Sequence, residues 1–210
     1  MKLPRHKTAL FYLLTMKRQL SFQEYRSIDL GLFAIMSMIF EFIIIRVSNS
    51  GLFIDASFTV SLAGALVSIV YMRWGFWGAI HAALFGLIDC MFSAATLNQY
   101  LIYISGNLFS VFAVFILKWK GYETMRTTSW YWVFPLCVIL LMQIGRALVS
   151  MLLGTDLATA TAFITTDSLS ILFTLVIVWV TRRLDGVYEN QKHYLLRVHD
   201  EEKNSNTTPE

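Results

Sequence analysis

Six long apolar runs constrain this chain more than any other feature of its sequence. They cover residues 28–47, 56–72, 76–95, 100–117, 130–153 and 157–180. A hydrocarbon core of about 30 Å takes roughly 20 helical residues to cross, and lipid offers no hydrogen-bond partners to an irregular backbone. The sequence therefore predicts an all-α integral membrane protein, a bundle of six transmembrane helices.

The composition agrees with a membrane protein and excludes several other classes. Hydrophobic residues make up 56% of the chain and charged residues 15%, whereas a soluble domain carries about 25% charged residues. The two cysteines form no Cys-x-x-Cys pair, and no His-x-x-x-His spacing occurs. We therefore expect no metal, no cofactor and no nucleic-acid partner.

The placement of Lys and Arg predicts the orientation of the bundle. Fifteen of the 17 Lys and Arg residues lie in the amino-terminal segment, in the connections after the second and fourth runs, and in the tail. The connections 48–55, 96–99 and 154–156 contain none. Because basic residues concentrate on the cytoplasmic side, both termini are predicted to be cytoplasmic.

This orientation divides the chain into three parts. Residues 1–27 form a cytoplasmic leader, either an interfacial amphipathic helix or a disordered segment. Residues 28–183 form the membrane domain, and residues 184–210 form a cytoplasmic tail that is partly disordered.

Polar side chains inside the predicted spans are the candidates for function, because each costs free energy unless it has a partner or lines a wet cavity. Counting 1.5 Å per residue from the predicted outer helix ends places six of them in the outer half of the membrane. Two tyrosines share a helix face with one of the six. Such stripes would line an outward-opening pocket of the kind that binds small molecules. The predicted ligand-binding residues are Glu41, Asp89, Tyr100, Tyr103, Asn107, Gln143, Arg146 and Asp167.

Structural roles stay open for the same residues. Arg146 and Asp167 form either ligand contacts or a buried ion pair between the last two helices. Glu41 and Asp89 either contact a ligand or are protonated and hydrogen-bonded. The two amides, Asn107 and Gln143, are typical interhelical hydrogen-bonding groups. If the site does bind a ligand, its charges favour a cationic or hydrogen-bond-donating molecule with a flat ring.

Two stretches resemble a known transporter family. IDLGLFAIMSMIFEFIII (28–45) and IDASFTVSLAGALVSIVYMRWGFWGAIHAALFGLIDCMFS (54–93) are similar to the first three helices of substrate-binding S components of energy-coupling factor (ECF) vitamin transporters. The size, the six spans and the cytoplasmic ends agree over essentially residues 27–185.

The resemblance implies a membrane-embedded subunit that captures a vitamin or related micronutrient from outside, with residues 48–55 as a lid. It implies docking onto a T component and two ATPase subunits, with Gly31, Ala34 and Ser37 on helix one at the T-component contact. The chain has no Gly-x-x-x-x-Gly-Lys-Ser/Thr loop, so it is not expected to be an enzyme and the energy would come from its partners. The alternative is a membrane scaffold of a cell-envelope complex, similar to the rod-shape membrane protein, which needs small-residue faces but no pocket.

Overall fold

The computed structural model describes residues 21–48, 60–166 and 168–207, and in those residues all regular secondary structure is helical. A 3-10 segment, Phe109–Phe112, connects two of these helices, the one that ends at residue 108 and the one that begins at residue 113. The helices are α1 (Phe22–Ser48), α2 (Ala63–Trp74), α3 (Trp77–Phe92), α4 (Leu97–Leu108), α5 (Ala113–Lys120), α6 (Tyr122–Thr127), α7 (Trp130–Leu152), α8 (Leu157–Thr165), α9 (Ser168–Thr181) and α10 (Gln191–Thr207).

Four helical stretches in the described part of the chain are long and apolar enough to cross a membrane. They are Phe22–Val47, Leu97–Lys120, Trp130–Leu152 and Leu157–Thr181. The second consists of α4, the 3-10 segment and α5, and the fourth consists of α8 and α9. The chain is thus an all-α, multi-pass membrane protein, as the apolar runs predict.

The other two predicted spans correspond to shorter helices. Helix α3 has 16 residues and α2 has 12, and at 1.5 Å per residue α2 is only about 18 Å long. The first residues of the second apolar run, 56–59, lie outside the described residues. Six spans, and two termini on the same side of the membrane, therefore stay predictions.

Helix α2 lies at the centre of the bundle. All twelve of its residues are buried, and it packs against α1, α3, α7 and α9. A Cβ atom at Gly64 would lie 2.5 Å from the Ile139 side chain and 2.8 Å from the Thr174 hydroxyl. Small residues in α2 therefore serve close helix packing inside the chain.

Arg73, near the carboxyl end of α2, bonds to Asp29 of α1 and to the residues that follow α9. The Nη2 atom of Arg73 lies 2.7 Å from Oδ1 of Asp29, and its Nε donates to Oδ2 at 2.8 Å. The Nη1 atom of Arg73 donates to the carbonyl of Gly186, which also accepts a bond of 2.7 Å from the Gln191 amide. Because Gly186 has φ +69°, the left-handed conformation open to glycine, the chain can turn back here toward the bundle.

The start of the predicted tail is part of the folded domain. Tyr188 is 1% exposed, and burial raises the pKa of its hydroxyl above the ordinary range. The Glu189 carboxylate lies 2.8 Å from Arg126 and 3.1 Å from Arg197. Beyond this turn, α10 continues to Thr207.

We expect the Arg73 bonds to be a large contribution to stability. The side chains of Arg73 and Asp29 are 8% and 13% exposed, so Arg73→Ala leaves a nearly buried carboxylate without its cation. The variant should lose about 3–5 kcal/mol of unfolding free energy, measured by denaturant unfolding in detergent micelles.

The matched control is Arg126→Ala, because the Arg126 side chain is 25% exposed and its partner Glu189 keeps a second cation, Arg197, at 3.1 Å. That variant should lose about 1 kcal/mol or less. Equal losses in the two variants would show that the Arg73 pair has no special role.

Candidate functional site

Polar side chains from four separate segments meet where α1, α2, α7 and α9 pack together. Glu41 comes from α1, Ser61 precedes α2, Gln143 and Arg146 come from α7, and Ser170 comes from α9. We call these five residues the polar cluster. Sequence analysis predicts that Glu41, Gln143 and Arg146 lie together, and the structure places all three here.

Glu41 accepts hydrogen bonds from the residues at the amino-terminal end of α2. Its side chain is 1% exposed and accepts a 2.6 Å hydrogen bond from the Ser61 hydroxyl. The backbone N–H of Leu62, the residue before α2, also donates to its carboxyl. A carboxylate is favourable at a helix amino terminus because the first amides have no partner within the helix. The structure therefore gives Glu41 a capping role that the sequence analysis did not anticipate.

Ser61 links three elements of the cluster. Its hydroxyl donates to Glu41, and the same hydroxyl oxygen accepts a 3.1 Å hydrogen bond from the Ala63 N–H. Its backbone N–H donates to the Ser170 hydroxyl at 2.9 Å. Sequence reasoning did not select Ser61. The available signal was a serine just before a run of small apolar residues, a common pattern at helix starts.

Asn107 and Arg146 join α4 to α7 beside the cluster. The Nε atom of Arg146 donates to Oδ1 of Asn107 at 2.7 Å, and the Asn107 amide donates to the Ala82 carbonyl of α3 at 2.9 Å. The Arg146 guanidinium lies 4.7 Å from the ring centroid of Tyr103. Asn107 is thus an interhelical hydrogen-bonding group, one of the two roles that the sequence left open.

Two glycines make this contact possible. A Cβ atom at Gly106 would lie 2.6 Å from the Arg146 backbone. On the facing helix, a Cβ atom at Gly145 would overlap the Gly106 carbonyl oxygen and lie 2.7 Å from Phe109. Because positions 106 and 145 carry no side chain, the backbones approach closely enough for Arg146 to reach Asn107.

A small cavity opens between the members of the cluster. Its volume is about 20 Å³, which is room for about one water molecule. Pockets that bind small molecules typically measure about 300–1,000 Å³. The residues that line it are Ser61, Ala63, Gly64, Ile139, Met142, Gln143, Arg146 and Ser170.

Charged groups of both signs act on this region. Asp89 and Arg146 both interact electrostatically with Glu41, and the same two residues act on Cys90 in α3. Asp89 is half-buried. Asp167 lies outside the described residues, so its predicted pairing with Arg146 stays a prediction.

Of the two tyrosines predicted to line the pocket, Tyr103 lies beside Arg146. Its ring packs edge-on against Phe163 of α8, with centroids 5.9 Å apart, and it also lies 4.7 Å from the Arg146 guanidinium. Tyr100 lies one turn closer to the start of α4 and is half-buried. Tyr103 therefore belongs to the immediate surroundings of Arg146.

The three residues predicted for a partner contact on α1 have different surroundings. An added Cβ atom at Gly31 meets no atom within 4 Å, and Ala34 is partly exposed. Ser37 is fully buried, and its hydroxyl donates to the Phe33 carbonyl at 2.7 Å. Ser37 thus lies inside the bundle, while Gly31 borders an open face.

Among the residues that the structure describes, no group of three or more His, Cys, Asp or Glu side chains could hold a metal ion. Comparison of the chain with protein-family models, with curated proteins and with solved structures finds no match. A function can therefore be argued only from the residues of the chain and their geometry.

Asn107→Ala should destabilise the bundle, because it removes the acceptor of Arg146 and the donor to Ala82. A buried polar group left without its partner costs about 1–3 kcal/mol. The loss of unfolding free energy would be measured by denaturant unfolding in micelles.

Asn98→Ala is the matched control, since Asn98 lies on the same helix and is exposed. It should change stability by less than about 0.5 kcal/mol. A loss in Asn107→Ala no larger than that of the control would contradict the interhelical role.

Proposed function

We propose that the chain is the membrane-embedded, substrate-binding S component of an ECF-type importer, with six transmembrane helices and both termini in the cytoplasm. It captures a vitamin or related micronutrient in an outward-facing pocket of the cell membrane. A T component and two ATPase subunits supply the energy to deliver it inward. The resemblance of residues 27–185 to S components is one support for this proposal.

The observation that carries the proposal is the convergence of the polar cluster on one cavity. Ser61, Gln143, Arg146 and Ser170 come from different parts of the chain and line the same space. Ile139 and Met142 supply the apolar part of the lining. An apolar wall with a few convergent polar groups is the usual composition of a small-molecule site.

Capture requires the cavity to widen. A vitamin-sized ligand needs a volume at least about ten times that of one water, so α7 and α9 must separate from the start of α2. The bond from Ser61 N–H to Ser170 joins those segments and would be exchanged for ligand contacts. The Tyr103 face beside Arg146 suits a flat ring, and the acidic groups suit a ligand that donates hydrogen bonds.

Helix α1 is the best candidate for the contact with the T component. Over an apolar 18-residue stretch of α1 only 17% of residues are buried, against 19% in Leu157–Thr181 and 44% in α7. Gly31 and Ala34 lie on this poorly covered helix and would let a partner helix approach closely.

Binding is tested by purifying the chain, identifying any retained small molecule by mass spectrometry, and measuring thermal shifts with a panel of vitamins. A ligand at 100 times its Kd should stabilise the fold by about 2.7 kcal/mol. Gln143→Leu should weaken binding about tenfold through the loss of one hydrogen bond.

Ser68→Ala is the control for that series, because Ser68 is buried in α2 and its hydroxyl donates to the Gly64 carbonyl. It should leave affinity unchanged. Stabilisation by no member of the panel, with a folded sample, would contradict the binding function.

The water-sized cavity favours a second candidate, a membrane scaffold of a cell-envelope complex of the rod-shape type. In a scaffold, Arg146 and Asn107 would serve only to hold α4 and α7 together. Variants at the polar cluster would then lower stability, and the purified chain would carry no specific small molecule.

A further inference from the structure

Basic and aromatic side chains form a second group at the amino-terminal end of α7. The Nζ atom of Lys120 lies 3.9 Å from the ring centroid of Trp119 and 4.8 Å from that of Trp130. Next along α7, the Tyr131 ring lies 3.6 Å from the Arg182 guanidinium. We call Lys118, Lys120, Arg182 and Arg183 the basic rim.

We propose that the basic rim binds the phosphate headgroup of an anionic phospholipid.

The rim carries positive charge that no described carboxylate neutralises. Arg73, Arg126 and Arg197 each form an ion pair with Asp or Glu, but within the described ranges none of the four rim residues does. Two nearby acids, Asp185 and Glu189, pair with Arg126 and Arg197. A third, Glu123 of α6, is exposed and forms no ion pair with a rim residue in the described part of the chain. Lys120 and Arg182 lie against the adjacent rings of Trp130 and Tyr131, and Lys118 and Arg183 are close to them in the chain. This concentration of positive charge favours an anionic ligand.

Arg182 also lacks a hydrogen-bond acceptor. Its Nη1 atom is buried and has no partner in the described part of the protein, although the residue as a whole is half-buried. A guanidinium carries five N–H donors in a fixed fork that fits phosphate oxygens. The Tyr131 ring beneath holds this fork in position.

The position of the basic rim at the ends of the apolar stretches favours a lipid headgroup over a dissolved anion. Three apolar stretches end or begin here: Leu97–Lys120 ends at Lys120, Trp130–Leu152 begins at Trp130, and Leu157–Thr181 ends just before Arg182. The rim thus lies at the boundary of the hydrocarbon core, where lipid phosphates are found and where Trp and Tyr concentrate.

The neighbouring surface can accept acyl chains. Phe115 on α5 is 65% exposed, and Val176 and Val180 on α9 are 49% and 46% exposed. Phe115 lies five residues before Lys120 on α5, and Val176 and Val180 lie six and two residues before Arg182, which directly follows α9. A lipid whose phosphate contacts the rim would lay its chains against this surface.

The test is native mass spectrometry of the full chain released from micelles that contain equal amounts of phosphatidylglycerol and phosphatidylcholine. Wild type should retain phosphatidylglycerol preferentially. The double variant Lys120→Gln/Arg182→Gln should bind it more weakly, by about fivefold for each cation removed. The charge-conserving pair Lys120→Arg/Arg182→Lys should retain the preference for phosphatidylglycerol, but with weaker binding than wild type because lysine lacks the guanidinium fork.

The matched control is Arg26→Gln. The Arg26 guanidinium also lies over an indole, 4.9 Å from the Trp77 centroid, but outside the rim, so this variant should bind like wild type. A thermal melt of each variant confirms that it is folded, and the charge-conserving pair tests the proposal if the double variant is not.

Three results would overturn the lipid site. The first is that wild type retains the two lipids equally. The second is that a folded double variant binds phosphatidylglycerol as strongly as wild type does. The third is that the charge-conserving pair binds no phosphatidylglycerol. In a further experiment, excess inorganic phosphate is added to the wild-type sample. If the phosphate displaces the lipid, the site binds a free anion and the proposal is wrong.

Discussion

Polar groups inside an apolar helix bundle must find partners within the protein, and this requirement governs how the helices pack here. Arg146 meets it through the Asn107 side chain and the Tyr103 ring. These contacts exist only because Gly106 and Gly145 let the two backbones meet. The same requirement places Glu41 at the amino end of α2, where the Ser61 hydroxyl and the Leu62 amide donate to it.

The two ends of the bundle meet this requirement in different ways. Around the polar cluster, Glu41 and Arg146 form hydrogen bonds with hydroxyl and amide groups, and a space for one water remains. At the other end of α2, Arg73 joins Asp29 and the Gly186 carbonyl in a densely bonded connection. The first region is therefore the one that helix movements could open at lower cost, and the second is suited to holding the helices together.

Sequence reasoning anticipated much of the fold but only part of the site. The apolar runs predicted the positions of α1, α3 and α7 closely, and the burial of Glu41, Asn107 and Gln143 agrees with their predicted inward placement. Ser61 was missed because a serine next to a loop is unremarkable until its partner from α1 is known. Ser37 was selected for an exposed face, yet it is buried, because helical spacing identifies a face without showing what covers it.

The amino-acid sequence alone predicts a helical membrane protein, since uninterrupted apolar runs leave the backbone no other way to satisfy its hydrogen bonds in lipid. It also identifies Glu41, Asn107 and Gln143 as polar residues inside the bundle. The packing of the helices, in contrast, is what encloses α2 completely, joins Asn107 to Arg146 and brings the residues after α9 back to Arg73. These features depend on which helices become neighbours. The contact of Asn107 with Arg146 joins residues 39 positions apart, and that of Arg73 with Gly186 joins residues 113 positions apart. Contacts at such separations leave no local pattern in the sequence.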